Sequence, residues 1–400
     1  MSEWAQLRLR DCVDLIGGSG FPEDLQGSAT GELPFFKVSD MNSKGNERYM
    51  TLAANRVERD EARRHGWRLI PDNSVVFAKV GAALLHNRRR LLTMESLVDN
   101  NMMGAVPFSS IDPRWLHYWL QMVDFASIAQ VGVLPSVNQR DIGAIPISVP
   151  PLEEQRRIAE ILDTIDETIR ATEGVIAKLR AVRWGLVCAE VPAPDGAAPE
   201  PVSRVADFGE VVGGRQLSPS QSRGVNPAPY LRVANVFLNR ISFGDVLSMD
   251  FTERERQRFY LVPGDILLNE GQSLELVGRS AIFRGPPDTY CFQNTLVRFR
   301  TSRTRLLPEF AQLIFEQWMY RGDFQKVAMR TTSIAHLGSD RFSKMALVVP
   351  PIDRQAAAVE RIDAIDLQVW AEESKAKKIR ETRCGLADDL LSGRVRTVAS

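Results

Sequence analysis

The sequence predicts an α+β protein of two mixed α/β domains, related by tandem duplication and separated by two long helices that form an antiparallel coiled coil. Three observations lead to this prediction. A heptad pattern of apolar residues follows the prolines at 150–151, and the same pattern returns after the prolines at 350–351. The stretches that precede the two proline pairs also carry matching landmarks. Because an apolar a/d seam needs a partner helix, we expect the two segments to pair with each other.

Both long helices show apolar residues at alternating spacings of four and three, which places these residues on one stripe of each helix. Charged residues repeat in the same register, for example Asp163 with Asp363, and two unrelated amphipathic helices would not explain this. About 36 residues at roughly 1.5 Å each reach on the order of 54 Å, enough to hold two globular bodies apart. The predicted pairing residues are Ile158, Leu162, Ile165, Ile169, Ile176, Leu179, Ile362, Ile365, Val369 and Ile379.

The domains before the helices are predicted as short strands and turns with an occasional helix. A strand that ends in Gly17-Gly18 corresponds to one that ends in Gly213-Gly214, whereas residues 41–70 have little in common with residues 236–262. A shared frame with different inserts indicates two similar modules tuned to different targets. The predicted organisation is domain 1 at residues 1–150, the first long helix at 151–190, a Pro/Ala linker at 191–201, domain 2 at 202–350, the second long helix at 351–392 and a tail at 393–400.

The composition excludes some classes of protein and leaves others open. Lys plus Arg and Asp plus Glu number 50 each, so the net charge argues neither for nor against nucleic acid. The four cysteines are isolated, with no CxxC motif, which favours a reducing compartment without structural zinc. No apolar run approaches the roughly 20 residues that span a bilayer, and the first residues do not resemble a signal peptide. We therefore expect a cytoplasmic protein.

The motifs of an enzyme acting on DNA are mostly missing from the sequence. It contains no GxxxxGK[ST] phosphate loop, and Gly17-Gly18-Ser19-Gly20 is expected to be a plain turn. Residues 226–230, Asn-Pro-Ala-Pro-Tyr, resemble the Asn-Pro-Pro-Tyr element of amino-methyltransferases, but an extra residue separates the prolines. His117, in an aromatic helix, is expected to belong to the core rather than to act as a base. We predict no catalytic residue and no metal site.

Polar and basic loops are the features that suit contact with nucleic acid. His86 to Arg90 form a compact basic loop, in which arginine can bind phosphate or guanine and asparagine can read adenine. A polar turn also precedes the strand that leads into each long helix, and its presence in both copies favours a binding surface over a merely solvated loop. The candidate DNA-binding residues are Lys79, Asn87, Arg88, Arg89, Arg90, Ser136, Asn138, Gln139, Arg140, Arg279, Arg330, Thr331, Thr332, Ser333 and His336.

With these residues in view, the chain resembles a specificity subunit of a type I restriction-modification enzyme over essentially its whole length. The most specific elements are the two Pro-Pro-(Leu/Ile)-x-x-Gln entries at residues 150–155 and 350–355, each preceded by a polar turn and an Ile/Val-rich strand. The resemblance implies that both domains are target-recognition domains and that each reads one half of a bipartite, asymmetric sequence in double-stranded DNA. It also implies a subunit that is not itself an enzyme.

The same resemblance implies partners. Two methyltransferase subunits would bring S-adenosylmethionine and methylate adenine, and restriction subunits that translocate DNA would use ATP and magnesium. No cofactor is expected in this chain itself. At the second helix entry, Asp353-Arg354 replace Glu153-Glu154, so equal binding of partners by the two helices is left open.

The residues alone lead to a compatible mechanism. Tandem copies joined by antiparallel helices acquire a pseudo-two-fold axis, and a rod of that length exceeds one turn of B-DNA, about 34–36 Å. We therefore expect the DNA target to consist of two short half-sites, separated by a spacer whose bases the protein does not contact. Two alternatives remain at this point: a stand-alone methyltransferase or nuclease with a cryptic site, and a protein–protein scaffold that does not contact DNA.

Overall fold

The computed structural model of the chain describes residues 4–129, 134–194, 200–216, 226–330 and 334–397. They form two compact units, of which unit 1 comprises Met1–Glu173 with Ser374–Ser400 and unit 2 comprises Gly174–Glu373. Both boundaries fall within the long helices, so each unit contains one half of each helix. In the part of the chain that the structure describes, no helix is long and apolar enough to cross a membrane.

The strands of unit 1 are β1 (Ala5–Arg8), β2 (Val13–Gly17), β3 (Leu33–Phe36), β4 (Tyr49–Met50), β5 (Arg56–Val57), β6 (Val75–Ala78), β7 (Arg89–Leu92), β8 (Leu97–Val98), β9 (Met102–Pro107) and β10 (Pro146–Val149). They form a five-stranded sheet of order β2-β9-β6-β7-β4, a three-stranded sheet of order β5-β3-β8 and the strand pair β1-β10. The short helices of unit 1 are α1 (Arg59–Arg64), α2 (Ala82–Leu85), α3 (Pro113–Met122) and α4 (Gln139–Gly143).

The first long helix, α5 (Leu152–Glu190), leads into unit 2. The strands of unit 2 are β11 (Val202–Arg204), β12 (Gly209–Gly213), β13 (Pro227–Leu231), β14 (Val236–Phe237), β15 (Arg240–Ile241), β16 (Leu247–Asp250), β17 (Ile266–Asn269), β18 (Gly271–Gln272), β19 (Ser280–Ile282), β20 (Cys291–Phe292), β21 (Leu296–Thr301), β22 (Met329–Arg330), β23 (Ala335–His336) and β24 (Ala346–Val348). Its helices are α6 (Glu253–Phe259), α7 (Pro308–Arg321), α8 (Asp323–Val327), α9 (Ser339–Ser343) and the second long helix, α10 (Ile352–Ser392).

The sheets of the two units repeat one topology. The order β12-β21-β17-β19 in unit 2 matches β2-β9-β6-β7 in unit 1, β16-β13-β20 matches β5-β3-β8, and the pair β11-β24 matches β1-β10. The duplicated glycines also have matching roles. A Cβ atom on Gly18 would lie 1.8 Å from the Asp99 carbonyl oxygen, and one on Gly214 would lie 2.1 Å from that of Gln293. Close backbone approach therefore explains both glycines.

Each long helix begins directly after its two prolines and is anchored by a fully buried glutamine. The Gln155 side chain donates to the Pro150 carbonyl at 2.9 Å and the Ser110 carbonyl at 3.0 Å, and accepts from the Asp112 amide at 2.7 Å. Gln355 does the same in unit 2, with Pro350, Arg305 and Leu307 as partners.

Ion pairs show that the helices run antiparallel within each unit. In unit 1, Asp166 of α5 pairs with Arg383 of α10 at 2.9 Å, and the later Glu173 pairs with the earlier Arg380. The helix segments of unit 2 show the same reversal, with Arg183 bound to Asp366 at 2.5 Å and Arg180 bound to Glu373 at 2.5 Å. Together with the sheets, this confirms the predicted α+β class with an antiparallel helix pair.

The helix stripe chosen from the heptad pattern is shielded from solvent. Four of the predicted pairing residues are buried: Ile158, Leu162, Ile176 and Ile362. The remaining six are half-buried: Ile165, Ile169, Leu179, Ile365, Val369 and Ile379. Ile158 and Leu162 join the core of unit 1 beneath α3, and Ile362 joins the core of unit 2 beneath α7.

Candidate nucleic-acid interface

In unit 1, the polar turn before the first long helix packs against the loop that follows β6. The Val137 amide donates to the Lys79 carbonyl at 2.9 Å, and Ser136 forms a β-bridge with Val80. Asn138 caps α4, and the Gln139 side chain donates to the Leu15 carbonyl at 2.6 Å. The structure therefore brings together five of the predicted residues: Lys79, Ser136, Asn138, Gln139 and Arg140.

The basic loop of unit 1 divides into exposed and packed residues, because Arg89 and Arg90 open β7 and alternate between its two faces. Arg89 is 1% exposed, and its guanidinium lies 3.8 Å from the centre of the Phe125 ring. Burial lowers the pKa of Arg89. Arg90 donates to the Met41 carbonyl at 3.1 Å. The Asn87 side-chain oxygen accepts a hydrogen bond from the Arg89 guanidinium at 2.6 Å. The side chains of Asn87 and Arg89 therefore support local packing.

Arg88 differs from its two neighbours. It is half-buried, and its side chain forms no hydrogen bond or ion pair within the described ranges, whereas the guanidinium groups of Arg89 and Arg90 donate to backbone carbonyls. From the basic loop, we therefore retain only Arg88 in the candidate interface.

In unit 2, the matching turn forms a small sheet of order β18-β23-β22. Gly271 pairs with His336, and His336 pairs with Met329, next to the exposed Arg330. Arg341 donates to the His336 carbonyl at 2.7 Å. Thr331, Thr332 and Ser333, which the sequence also predicts as DNA-binding, lie outside the described residues.

A second basic group in unit 2 surrounds Phe237. The guanidinium groups of Arg240 and Arg279 lie 4.6 Å and 5.0 Å from the centre of its ring. Arg279 is half-buried, and burial lowers its pKa. Its backbone pairs with Asn269, the last residue of β17, which connects this group to the turn that contains Glu270. Arg240 is missed by the sequence analysis because it lies in a segment without a counterpart in the first copy.

Glu270 is also missed, although the sequence holds a signal for it. It follows the apolar strand β17 in the same way that Lys79 follows β6, but a search for basic residues passes over an acid. The Glu270 carboxylate lies 3.2 Å from Nδ1 of His336, and its side chain is 21% exposed.

One histidine and two cysteines are withdrawn from solvent, whereas Cys188 and Cys384 are exposed. His117 is 1% exposed, and burial together with the nearby Arg48 charge lowers its pKa to about 4. Burial raises the pKa of the Cys12 thiol to about 11 and that of Cys291 to about 12. Over the described residues, no group of three or more His, Cys, Asp or Glu side chains is arranged to hold a metal ion.

Comparison with known proteins gives one family. Residues 1–181 match the family model described as the type I restriction modification DNA specificity domain. The EcoKI specificity subunit of Escherichia coli strain K12 is 23% identical over 256 residues, which are 60% of this chain and 54% of that protein. The match thus spans about half the length of that relative. The MjaVIII specificity subunit of Methanocaldococcus jannaschii is 21% identical over 305 residues, 72% of this chain and 71% of that protein.

Solved structures agree in fold. The S subunit of a type I restriction-modification system from M. genitalium superposes with a TM-score of 0.55 at 12% identity, covering 97% of this chain and 96% of that one. A chain from a structural study of complex assembly and conformational transition in the type I R-M system gives a TM-score of 0.64 at 15% identity, with 98% of both chains covered. The family model over residues 1–181 and the relatives agree that the chain is similar to specificity subunits of type I restriction-modification systems, and the solved structures show the same fold.

Proposed function

We propose that this chain is the non-catalytic DNA-recognition subunit of a type I restriction-modification complex. Each of its two units reads one half of a bipartite, asymmetric DNA sequence, and the chain provides the scaffold for two methyltransferase subunits and for restriction subunits. S-adenosylmethionine belongs to the methyltransferase subunits, and ATP and magnesium belong to the restriction subunits. The complex acts on genomic DNA in the cytoplasm.

Uncompensated positive charge is the observation that carries this proposal. Several half-buried arginines elsewhere in the units have acidic partners, as Arg48 does with Asp163 and Arg183 does with Glu316. Arg88 and Arg279 are half-buried without an acidic partner anywhere in the described ranges. A cation that is partly removed from water without a counter-charge is destabilising. DNA phosphates supply that counter-charge and release counterions on binding.

The duplicated frame supports a split and asymmetric target. Both units present the same turn at the same place, but the side chains in that turn differ, so each unit is expected to read a different base sequence. We further propose that the long helices act as the spacer between the half-sites. A helix of 39 residues is about 58 Å long, more than the roughly 34–36 Å of one turn of B-DNA.

The test is a genome-wide map of N6-methyladenine in cells that contain this chain and its methyltransferase partner, compared with cells that lack only this chain. We expect one split, asymmetric motif with a fixed gap to disappear when the chain is absent. An unchanged map in cells whose methyltransferase is demonstrably active would refute the recognition role.

Two further measurements separate the alternatives. A stand-alone enzyme predicts methyl transfer or cleavage by the purified chain without partners, and we expect neither. A scaffold without DNA contact predicts that Arg88→Glu leaves DNA binding by the assembled complex unchanged. We expect weaker binding with unchanged thermal stability, because Arg88 has no ion pair to lose, whereas changing Arg89 would disturb the core.

A further inference from the structure

One backbone position occurs in both units with the same hydrogen bonds but with side chains of opposite charge. In unit 1 the residue is Lys79, whose amide donates to the Asn101 carbonyl at 2.8 Å and whose carbonyl accepts from the Val137 amide at 2.9 Å. In unit 2 the residue is Glu270, whose amide donates to the Thr295 carbonyl at 2.9 Å and whose carbonyl accepts from the Leu337 amide at 2.8 Å. We call this position the duplicated slot.

The partner strand of the slot is also equivalent in the two units. Ser136 forms a bridge with Val80, the residue after Lys79, and His336 pairs with Gly271, the residue after Glu270. The backbone thus brings the two side chains to the same place relative to their own unit. The two copies therefore differ at this position in the charge of the side chain and not in the backbone contacts.

The local contacts leave both charged groups able to meet a ligand. A Cβ atom added to Gly17 would lie 3.7 Å from Nζ of Lys79, so the ammonium lies over a glycine that has no side chain to cover it. The Glu270 carboxylate is partly exposed and contacts the imidazole of His336. No described arginine or lysine forms an ion pair with Glu270.

A carboxylate at this position has a specific consequence for DNA. Carboxylates are repelled by phosphates, so Glu270 has no favourable role against the DNA backbone. They accept a hydrogen bond from the N4 amino group of cytosine in the major groove, whereas an ammonium donates to O6 and N7 of guanine. Arg279, whose carbonyl accepts from the Asn269 amide, and Arg330, which pairs with Ala335 beside His336, can supply the attraction to phosphate in the same unit.

We propose that the duplicated slot is a base-reading position, with Glu270 selecting cytosine in the half-site of unit 2 and Lys79 selecting guanine in the half-site of unit 1. The proposal rests on the DNA-recognition function proposed above and adds the residues that decide one base in each half-site. Both residues are specificity determinants and neither is catalytic.

The experiment uses the full chain assembled with its methyltransferase subunits and measures methylation of a DNA library randomised at every position of both half-sites. For Glu270→Gln, we expect discrimination at one cytosine in the unit 2 half-site to fall about tenfold or more, because the amide presents a donor as well as an acceptor. The base preferences in the unit 1 half-site are expected to remain unchanged. Lys79→Met is expected to weaken the preference for guanine at one position of the unit 1 half-site and to leave the other base preferences unchanged.

A charge exchange makes the test stricter. Lys79→Glu is expected to replace the preference for guanine with one for cytosine at the same position, which a loss of folding cannot produce. Unchanged preferences in both half-sites for Glu270→Gln and Lys79→Glu would overturn the proposal while leaving the split motif of the wild-type complex intact. If the wild-type complex itself selects no split motif, the proposed function fails and this inference fails with it.

Discussion

At the scale of single residues, Gln155 shows how one amide fixes the start of a long helix. It binds three backbone groups, namely the Pro150 and Ser110 carbonyls and the Asp112 amide, and it is fully buried. Gln155→Ala leaves these groups without partners, and we expect a loss of about 3 kcal/mol in the free energy of unfolding. Urea unfolding of the purified chain measures this loss.

The duplication provides the control for Gln155. Gln355→Ala removes the equivalent bonds in unit 2 and should cost a similar amount, whereas Gln368→Ala, on an exposed part of α10, should change stability by less than about 0.5 kcal/mol. A Gln155→Ala variant as stable as Gln368→Ala would contradict the anchoring role.

His117 makes a second prediction at this scale. Its pKa is lowered from 6.5 to about 4 by burial and by the Arg48 charge. The unfolded chain therefore binds a proton at higher pH than the folded chain does. Stability contributed by neutral His117 is fully present above about pH 6.5 and is lost as the pH falls towards 4, by about 3 kcal/mol in total.

The matching position in α7 is Gln312, so His117→Gln is the natural test. Glutamine does not titrate, and the difference in unfolding free energy between wild type and variant should grow as the pH rises from 4 to 6.5. If the unfolding free energies of wild type and variant changed in parallel between pH 4 and 6.5, His117 would not contribute to the pH dependence of stability.

The basic loop shows what sequence alone could and could not provide at this scale. Three consecutive arginines led to the prediction of a DNA-binding loop, but a strand sends alternate side chains to opposite faces. The start of β7 at Arg89 therefore decides which arginine enters the core, and composition holds no information on that boundary. His117 was predicted to belong to the core because its neighbours along the helix are aromatic, and the structure shows it buried.

At the scale of elements, one arginine joins three helices of unit 2. Arg183 of α5 binds Glu316 of α7 through two contacts of 2.6 Å and 3.0 Å and binds Asp366 of α10 at 2.5 Å. The Glu316 side chain is only 5% exposed. Arg183→Met leaves this carboxylate buried without its cation, and we expect a loss of about 3–5 kcal/mol by chemical unfolding.

Two matched variants test that explanation. Arg383 has the same role in unit 1, but its α3 partner is the neutral Gln121, at 3.3 Å, so Arg383→Met should cost less than Arg183→Met. Arg180→Met removes a solvent-exposed pair with Glu373 and should cost less than about 1 kcal/mol. Equal losses for Arg183→Met and Arg180→Met would show that burial of Glu316 does not set the cost.

The long helices were the easiest elements to predict, because a heptad seam of apolar residues is a direct consequence of helix geometry. The ion pairs between the two long helices were harder to predict. Asp166 and Asp366 are equivalent in sequence, and each binds an arginine from the opposite helix, but the third partner of each network comes from α3 or α7. Such contacts depend on how a distant helix packs, which the local pattern does not encode.

At the scale of the whole molecule, the duplication could be predicted from shared motifs, whereas the strand order could not. The central sheets place β9 and β21 between strands that are far apart in sequence, and β4 adds a parallel edge strand in unit 1. Non-local pairings of this kind leave little trace in a single sequence. The inserts that carry Arg240 and its stacking on Phe237 diverge between the copies, so comparing the two halves could not reveal that part of the surface.

If both units bind DNA, their electrostatic contributions to the affinity should add. Arg140 in unit 1 and Arg240 in unit 2 are both exposed. Replacing either with glutamine should reduce the slope of log affinity against log salt by about 1, and replacing both should reduce it by about 2.

Arg63→Gln is the control, because Arg63 is exposed but already paired with Asp60 on α1. Fluorescence anisotropy of the assembled complex on its target, across a salt series, measures the slopes. If Arg140→Gln lowers the slope and Arg240→Gln does not, only unit 1 contacts phosphate at these positions, and the expected contribution of unit 2 through Arg240 is wrong.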